Sequence, residues 1–183
     1  TTSPTTARQF DLAKLLLEEM KGMGIEDAMM DEYGYVYGHI PATPGYENCT
    51  AIGFLAHMDT APDYSGENVN PQIIENYDGK DVVLGTSGRT LTVKDFPSLK
   101  NMTGKTLITT DGTTLLGADD KAGIAEIMTV AEELLKGDIP HGNVCLAFTT
   151  DEEVGSGACH MDLERFGAPY AYTVDGGPEG EIQ

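Results

Sequence analysis

Four short segments of the chain combine residue types that bind metals and move protons. His57-Met58-Asp59 offers an imidazole, a good zinc ligand when neutral, and a carboxylate two residues on that can hold the other ring nitrogen and fix the tautomer. Leu116-Gly117-Ala118-Asp119-Asp120-Lys121-Ala122-Gly123 sets two adjacent carboxylates among glycines that permit close backbone approach, where a helix start favours negative charge. Thr150-Asp151-Glu152-Glu153-Val154-Gly155 puts three acids directly after an apolar run. Residues leaving a strand in succession point different ways, so one carboxylate can bind a metal while its neighbour takes a proton from water. Asp175-Gly176-Gly177 adds a single carboxylate with two glycines behind it. Taken one at a time, each segment has an ordinary explanation: a hydrogen-bonded His–Asp pair, a helix N-cap, a solvated acidic turn, a glycine turn.

The ordinary explanations leave out where the segments sit. Ala51 to Ala56 is an apolar run without polar alternation, the pattern of a strand buried on both faces, and Asn143 to Phe148 and Ala171 to Val174 are two further strands that likewise run apolar into acid. Each runs straight into one of the acidic segments. Gly123 to Lys136, with Ile124, Ile127, Met128, Ala131, Leu134 and Leu135 on one face, reads as a helix crossing between the first two, and Ala7 to Met23 as a further amphipathic helix closed by Gly22 and Gly24. Asp27 to Met30 and Tyr35 to Ile40 read as paired strands. Strands alternating with helices give an α/β fold with a mixed, largely parallel central sheet flanked by helices, in which ligands bind beyond the carboxyl ends of the strands. One imidazole and several carboxylates at those ends suit zinc, and two ions about 3.5–4 Å apart can share one carboxylate.

The stretch around 60–105 is long, polar and broken by prolines and glycines, and reads as an insertion with small strands of its own at Gln72-Ile74, Val82-Leu84 and Thr90-Val93. Eleven basic against thirty acidic residues, a formal charge of -19, exclude a nucleic-acid or anionic-membrane partner and favour cations. No run approaches the roughly 20 apolar residues of a membrane span. Cys49, Cys145 and Cys159 are odd in number, widely spaced and lack a C-x-x-C pair, which fits buried thiols in a reducing, cytoplasmic compartment. The remaining histidines, His39, His141 and His160, lie outside the four segments and are expected to serve packing or the surface. Phosphate-loop, nucleophile-elbow and H-E-x-x-H patterns do not occur.

In this order, H-x-D, G-A-D-D-K-A-G, D-E-E-V-G and V-D-G-G resemble the M20 metallopeptidases, and the longer strings His57 to Asp63, Asn68 to Gln72, Thr109 to Gly112 and Ala122 to Met128 look like the tripeptide aminopeptidases of that family. The resemblance implies a zinc-peptidase-like catalytic domain in which His57 and Asp175 bind one zinc, Glu153 binds a second and Asp119 bridges the two. It implies Glu152 as general base, Asp59 as the acid that orients His57, and attack of a dizinc-bound hydroxide that releases the N-terminal residue of a tripeptide. Members of the family continue into a lid or dimerisation domain and then supply a further His to the second zinc. On that reading residues 1–183 are a partial catalytic domain, inactive in isolation, whose parent is a homodimer through the absent domain. A related dipeptidase, carboxypeptidase or deacylase, or a non-catalytic metal-binding module, are the alternatives.

Overall fold

The computed structural model describes residues 2–177. In chain order the elements are α1 (Gln9–Met23), β1 (Met29–Met30), β2 (Val36–Ile40), β3 (Ile52–His57), β4 (Gln72–Ile74), β5 (Val82–Leu84), β6 (Arg89–Leu91), a 3-10 helix (Pro97–Met102), β7 (Leu107–Thr109), α2 (Ala118–Leu135), β8 (Val144–Thr149), α3 (Leu163–Phe166) and β9 (Tyr170–Thr173). They divide into two compact units, one formed by the residues up to Ala61 together with those from Ala118 onward, the other by Pro62–Gly117.

The first unit is built on a five-stranded sheet in the order β1-β2-β8-β3-β9. Strand β3 runs parallel to both β8 and β9, while β2 is antiparallel to β8 and β1 to β2, so the sheet is the mixed α/β type expected from the sequence. Parallel strands need a crossover, and α2 supplies it between β3 and β8. Alternate residues of β8 serve two cores. Val144, Leu146 and Phe148 join Ala13, Leu16 and Met20 of α1 and Ile124, Ile127, Met128 and Ala131 of α2; Cys145 and Ala147 face the opposite side with Tyr35, Tyr37 and Phe166. All six β8 residues are buried, the mark of a strand covered on both faces.

Only β3 departs from the burial that its apolar run predicts. β3 is only partly buried, and all four residues of β9 are exposed. β9 pairs with β3 alone among the described residues and lies at the sheet edge, where one flank of the strand has no neighbour to cover it. An apolar run reports that a strand can be buried, whereas its place in the sheet decides whether it is. Gly53 is required where it stands, because a Cβ there would overlap the Phe166 ring. The thiols also differ from expectation: only Cys145 is buried, and Cys49 and Cys159 are exposed and free, since both fall in loops rather than strands.

The second unit holds two two-stranded antiparallel sheets, β4 with β7 and β5 with β6, around a small core of Tyr77, Val82, Leu84 and Leu99. Three of its strands lie where alternating or apolar triplets predict them. β7 is not expected from the sequence, because Leu107, Ile108 and Thr109 sit among threonines and charges and become a strand only by pairing with Gln72–Ile74.

Candidate metal centre

In the first unit, three parallel strand ends meet at one edge of the sheet. His57 closes β3 opposite Thr149, the last residue of β8, and Thr173, the last residue of β9, pairs with Leu55. Asp151, Glu152 and Glu153 lie just beyond the end of β8, and Asp175 just beyond the end of β9, so register alone brings the imidazole and these acids to the same edge.

The imidazole of His57 is almost fully enclosed, and each of its nitrogens has a distinct surrounding. Nδ1 lies 3.1 Å from the Asp59 carbonyl oxygen and 3.4 Å from Asp59 Oδ1. Nε2 points the other way, at 2.8 Å from Asp119 Oδ1, 3.8 Å from Glu152 Oε2 and 3.9 Å from Asp175 Oδ2. Burial opposes protonation of His57, but the carboxylates of Asp59 and Asp119 outweigh it and raise its pKa to about 9.

Asp59 does more than face the ring. Oδ1 accepts the Glu152 N–H and Oδ2 accepts the Glu153 N–H, both at 3.0 Å. Burial disfavours its charge, yet the hydrogen bonds from His57 and from the two N–H groups hold its pKa below the usual carboxylate value. One side chain thereby ties the β3 end to the loop after β8.

The first turn of α2 is interrupted at Asp119 and Asp120, both with non-helical dihedrals, and the peptide between them is cis. The two neighbours play different parts. Asp119 stays exposed and offers its carboxylate to His57 Nε2. Asp120 is buried and accepts the His57 N–H and the Gly123 N–H, each at 3.2 Å, acting as the cap of the regular helix. Burial pushes its pKa up to about 6, the His57 N–H pulls it down and the charge of Asp175 adds to the rise. Gly123 permits the approach of the segment leaving β9, since a Cβ there would overlap the Val174 carbonyl oxygen and the Asp120 carboxylate.

His57, Asp119 and Asp175 each present one donor atom, and these atoms lie within 4.8 Å of one another. An imidazole nitrogen and two carboxylate oxygens at that spacing fit a divalent ion such as zinc, whose N and O ligands stand at about 2.0–2.2 Å, and a ring whose far nitrogen faces a carboxylate is the usual partner. Glu152 lies beside this group. The carboxylate of Glu153 does not belong to it; only its backbone is held, through Asp59. Two cavities flank the centre, one of about 390 Å³ bordered by Asp119, Glu126 and Asp175, the other of about 340 Å³ bordered by Glu152 and His57 with an apolar wall of Leu55, Ala158 and Met161.

Residue types alone did not single out Lys121 or Asp151. Lys121 Nζ donates to the carbonyl oxygens of Asp59 at 3.3 Å and Asp119 at 3.4 Å; burial lowers its pKa against the opposing pull of the surrounding acids. The signal was present, as the cation in an otherwise acidic motif. His39, His141 and His160 stay outside the centre: His39 faces Asp27 at 2.5 Å and the Phe166 carbonyl oxygen at 3.1 Å, His141 Nδ1 faces the Gly142 carbonyl oxygen, and His160 stacks on Tyr33.

Known proteins resemble the chain in both sequence and fold. It is 56% identical over 183 residues to peptidase T of Alkaliphilus oremlandii, a match covering 98% of this chain and 45% of that protein. To peptidase T of Geobacillus thermodenitrificans it is 57% identical over 184 residues, covering 100% of this chain and 44% of that protein. Among solved structures, aminopeptidase PepT from Bacillus cereus superposes with a TM-score of 0.65 at 28% identity, covering 92% of this chain and 39% of that one. The chain thus spans about 45% of the length of the curated relatives it matches. The family model that matches is M42 glutamyl aminopeptidase, over residues 102–183, where the sequence motifs resembled M20. That segment is less than half of the chain and excludes His57 and Asp59.

Proposed function

We propose that the chain carries the metal-binding and base-bearing part of a zinc-dependent aminopeptidase of the M20 type that removes the N-terminal residue of tripeptides. The observation that carries the reading is the convergence of His57, Asp119 and Asp175, with Glu152 beside them, at the ends of parallel strands. Similarity to peptidase T along the whole chain supports the peptide substrate, and the M20 assignment rests on motifs that include His57-x-Asp59, outside the M42 match.

In this reading His57 and Asp175 would hold one zinc and Glu153 a second, with Asp119 available to both, and the ions would supply Lewis-acid chemistry there. The chain's own groups do the rest. Glu152, half exposed and next to the ligands, accepts a proton from water and returns it to the leaving amine. Asp59 keeps the His57 ring turned and fixes the Glu152 and Glu153 backbones. The apolar wall of Leu55, Ala158 and Met161 beside Glu152 receives a substrate side chain. A cytoplasmic setting belongs to the same reading, supported by three free cysteines; no helix among the described residues is long and apolar enough to cross a membrane.

The test is a chimera joining residues 1–183 to the remainder of a peptidase T relative, assayed on tripeptides with zinc. Glu152→Ala is expected to reduce turnover by about 10²–10⁴-fold while zinc content is kept. Undiminished turnover in that variant removes Glu152 from the mechanism.

A further inference from the structure

We propose that Gln9 and Asp151, with Thr5, form a clamp through which the segment before α1 positions the loop bearing Glu152 and Glu153. The proposal rests on the reading of Glu152 as base for its catalytic consequence, but not for its structural one.

Asp151 is buried at 2% exposure, although its side chain is charged and none of its oxygens faces the metal ligands' donor group. A carboxylate in such a place must be satisfied by donors or it destabilises the fold. The donors all come from the start of the chain. Oδ1 accepts from Thr5 Oγ1 at 2.7 Å, Gln9 Nε2 at 2.8 Å and the Thr5 N–H at 2.9 Å, while Oδ2 accepts the Thr5 N–H at 3.0 Å and Ser3 Oγ at 3.4 Å. Gln9, itself buried, closes a reciprocal pair: its Oε1 accepts the Asp151 N–H at 3.0 Å. An amide that both donates to a residue's side chain and accepts from its backbone fixes that residue's dihedrals as well as its position.

The dihedral fixed is an unusual one. Asp151 has φ +60°, the left-handed region that Asp tolerates better than most residues but still at a cost. This turn immediately precedes Glu152 and Glu153. From the other side Asp59 accepts both of their N–H groups, so the loop is held between two carboxylate anchors, one reached from β3 and the other from the segment before α1. Releasing the Gln9 anchor leaves the left-handed turn without its support and lets Glu152 wander from His57. Asp151, Gln9 and Thr5 are positioning residues, since none lies in the donor group.

Amide hydrogen exchange on the 183-residue chain tests this directly. In Gln9→Ala, exchange at Glu152, Glu153, Gly155 and Ser156, all hydrogen-bonded in the native loop, is expected to rise at least about tenfold, with β3 and β8 amides unchanged. Thr5→Val, a milder change at an exposed position, is expected to give a smaller rise at the same amides. Asp151→Asn keeps one acceptor oxygen and tolerance of the left-handed turn but sets an N–H group against the Thr5 N–H, and is expected to give an intermediate rise, whereas Asp151→Gly, which permits the turn without the anchor, is expected to behave like Gln9→Ala. Unchanged loop exchange in both Gln9→Ala and Thr5→Val overturns the clamp, as does a uniform rise that includes β8. In the active chimera, Gln9→Ala is expected to lower kcat about tenfold or more with KM within about twofold. If Glu152→Ala is inactive while Gln9→Ala matches wild type, the clamp's catalytic role fails and the base assignment stands; if Glu152→Ala stays active while loop exchange rises in Gln9→Ala, the clamp stands as a structural device and the base assignment fails, taking the clamp's catalytic consequence with it.

Discussion

His57 Nε2 lies 2.8 Å from Asp119 Oδ1, so the atom best placed to bind a metal also faces a carboxylate that favours a proton on it. Proton and metal therefore compete for one position. With the His57 pKa raised to about 9, zinc binding near neutral pH must displace a proton, and apparent affinity is expected to rise close to tenfold per pH unit between about 6.5 and 9 before levelling. Competition titrations against a chelator at several pH values check the slope; a flat response below pH 9 removes His57 as the coupled group.

The same shift sets the stability of the metal-free chain. A histidine pKa above its unfolded value of about 6.5 contributes stability that is complete below that value and fades as pH rises through about 9. Asp120, raised to about 6, acts in the same sense, its contribution fading as pH climbs from about 4 to 6. Unfolding free energies from denaturant titrations are expected to fall between pH 5 and 9 in the absence of metal, by an amount on the order of 1–3 kcal/mol, and His57→Gln is expected to flatten the upper part of that decline.

Asp59 touches both sides of the centre, so its removal is expected to affect metal binding without unfolding the protein. Asp59→Asn keeps the size but loses the charge that faces His57 Nδ1 and the full acceptor capacity for the Glu152 and Glu153 N–H groups. Zinc affinity is expected to drop about 10–100-fold, measured by the same competition titration, with circular dichroism unchanged.

Glu153 and Asp175 separate the two proposed zinc positions. Asp175→Ala removes a member of the preformed donor group and is expected to weaken the first zinc strongly, whereas Glu153→Ala leaves that zinc in place and affects only a second. Metal analysis of the two purified variants decides this, and equal losses in both count against the division of ligands.

Gly123 has no room for a side chain. Gly123→Ala drives a methyl into the Val174 carbonyl and the Asp120 carboxylate, and it is expected to cost about 1–3 kcal/mol despite the better helix propensity of alanine. Because Asp175 comes next after Val174, zinc affinity is expected to fall with it. A gain in thermal midpoint contradicts the close approach.

Much of the fold was legible because hydrophobic periodicity is local. The α1 and α2 faces, β8 and three of the four small strands of residues 62–117 arise from residues within a few positions of one another. β7 was not legible, since it forms only against a strand more than thirty residues away, and neither was the exposure of β9, which depends on its edge position. At the candidate centre, residue types pointed to the four acidic segments, and only the family resemblance named His57, Asp119, Glu152 and Asp175 within them. Residue types did not distinguish Asp119 from Asp120, whose unlike roles arise from dihedrals at the α2 start that no spacing rule encodes.

By itself, then, the sequence determined which chemistry the chain has to offer: an imidazole and acids placed after apolar runs, a helix to cross between them, and glycines where the backbone must come close. Only the tertiary structure decided which acids meet. Parallel register brought His57 beside the loop after β8, the fit of Gly123 against Val174 brought Asp175 to Asp119, and a buried amide at Gln9 fixed the turn at Asp151. The physical reason is that side-chain type is a local property, whereas the direction of a carboxylate depends on backbone hydrogen bonds made with segments that lie far away in the chain.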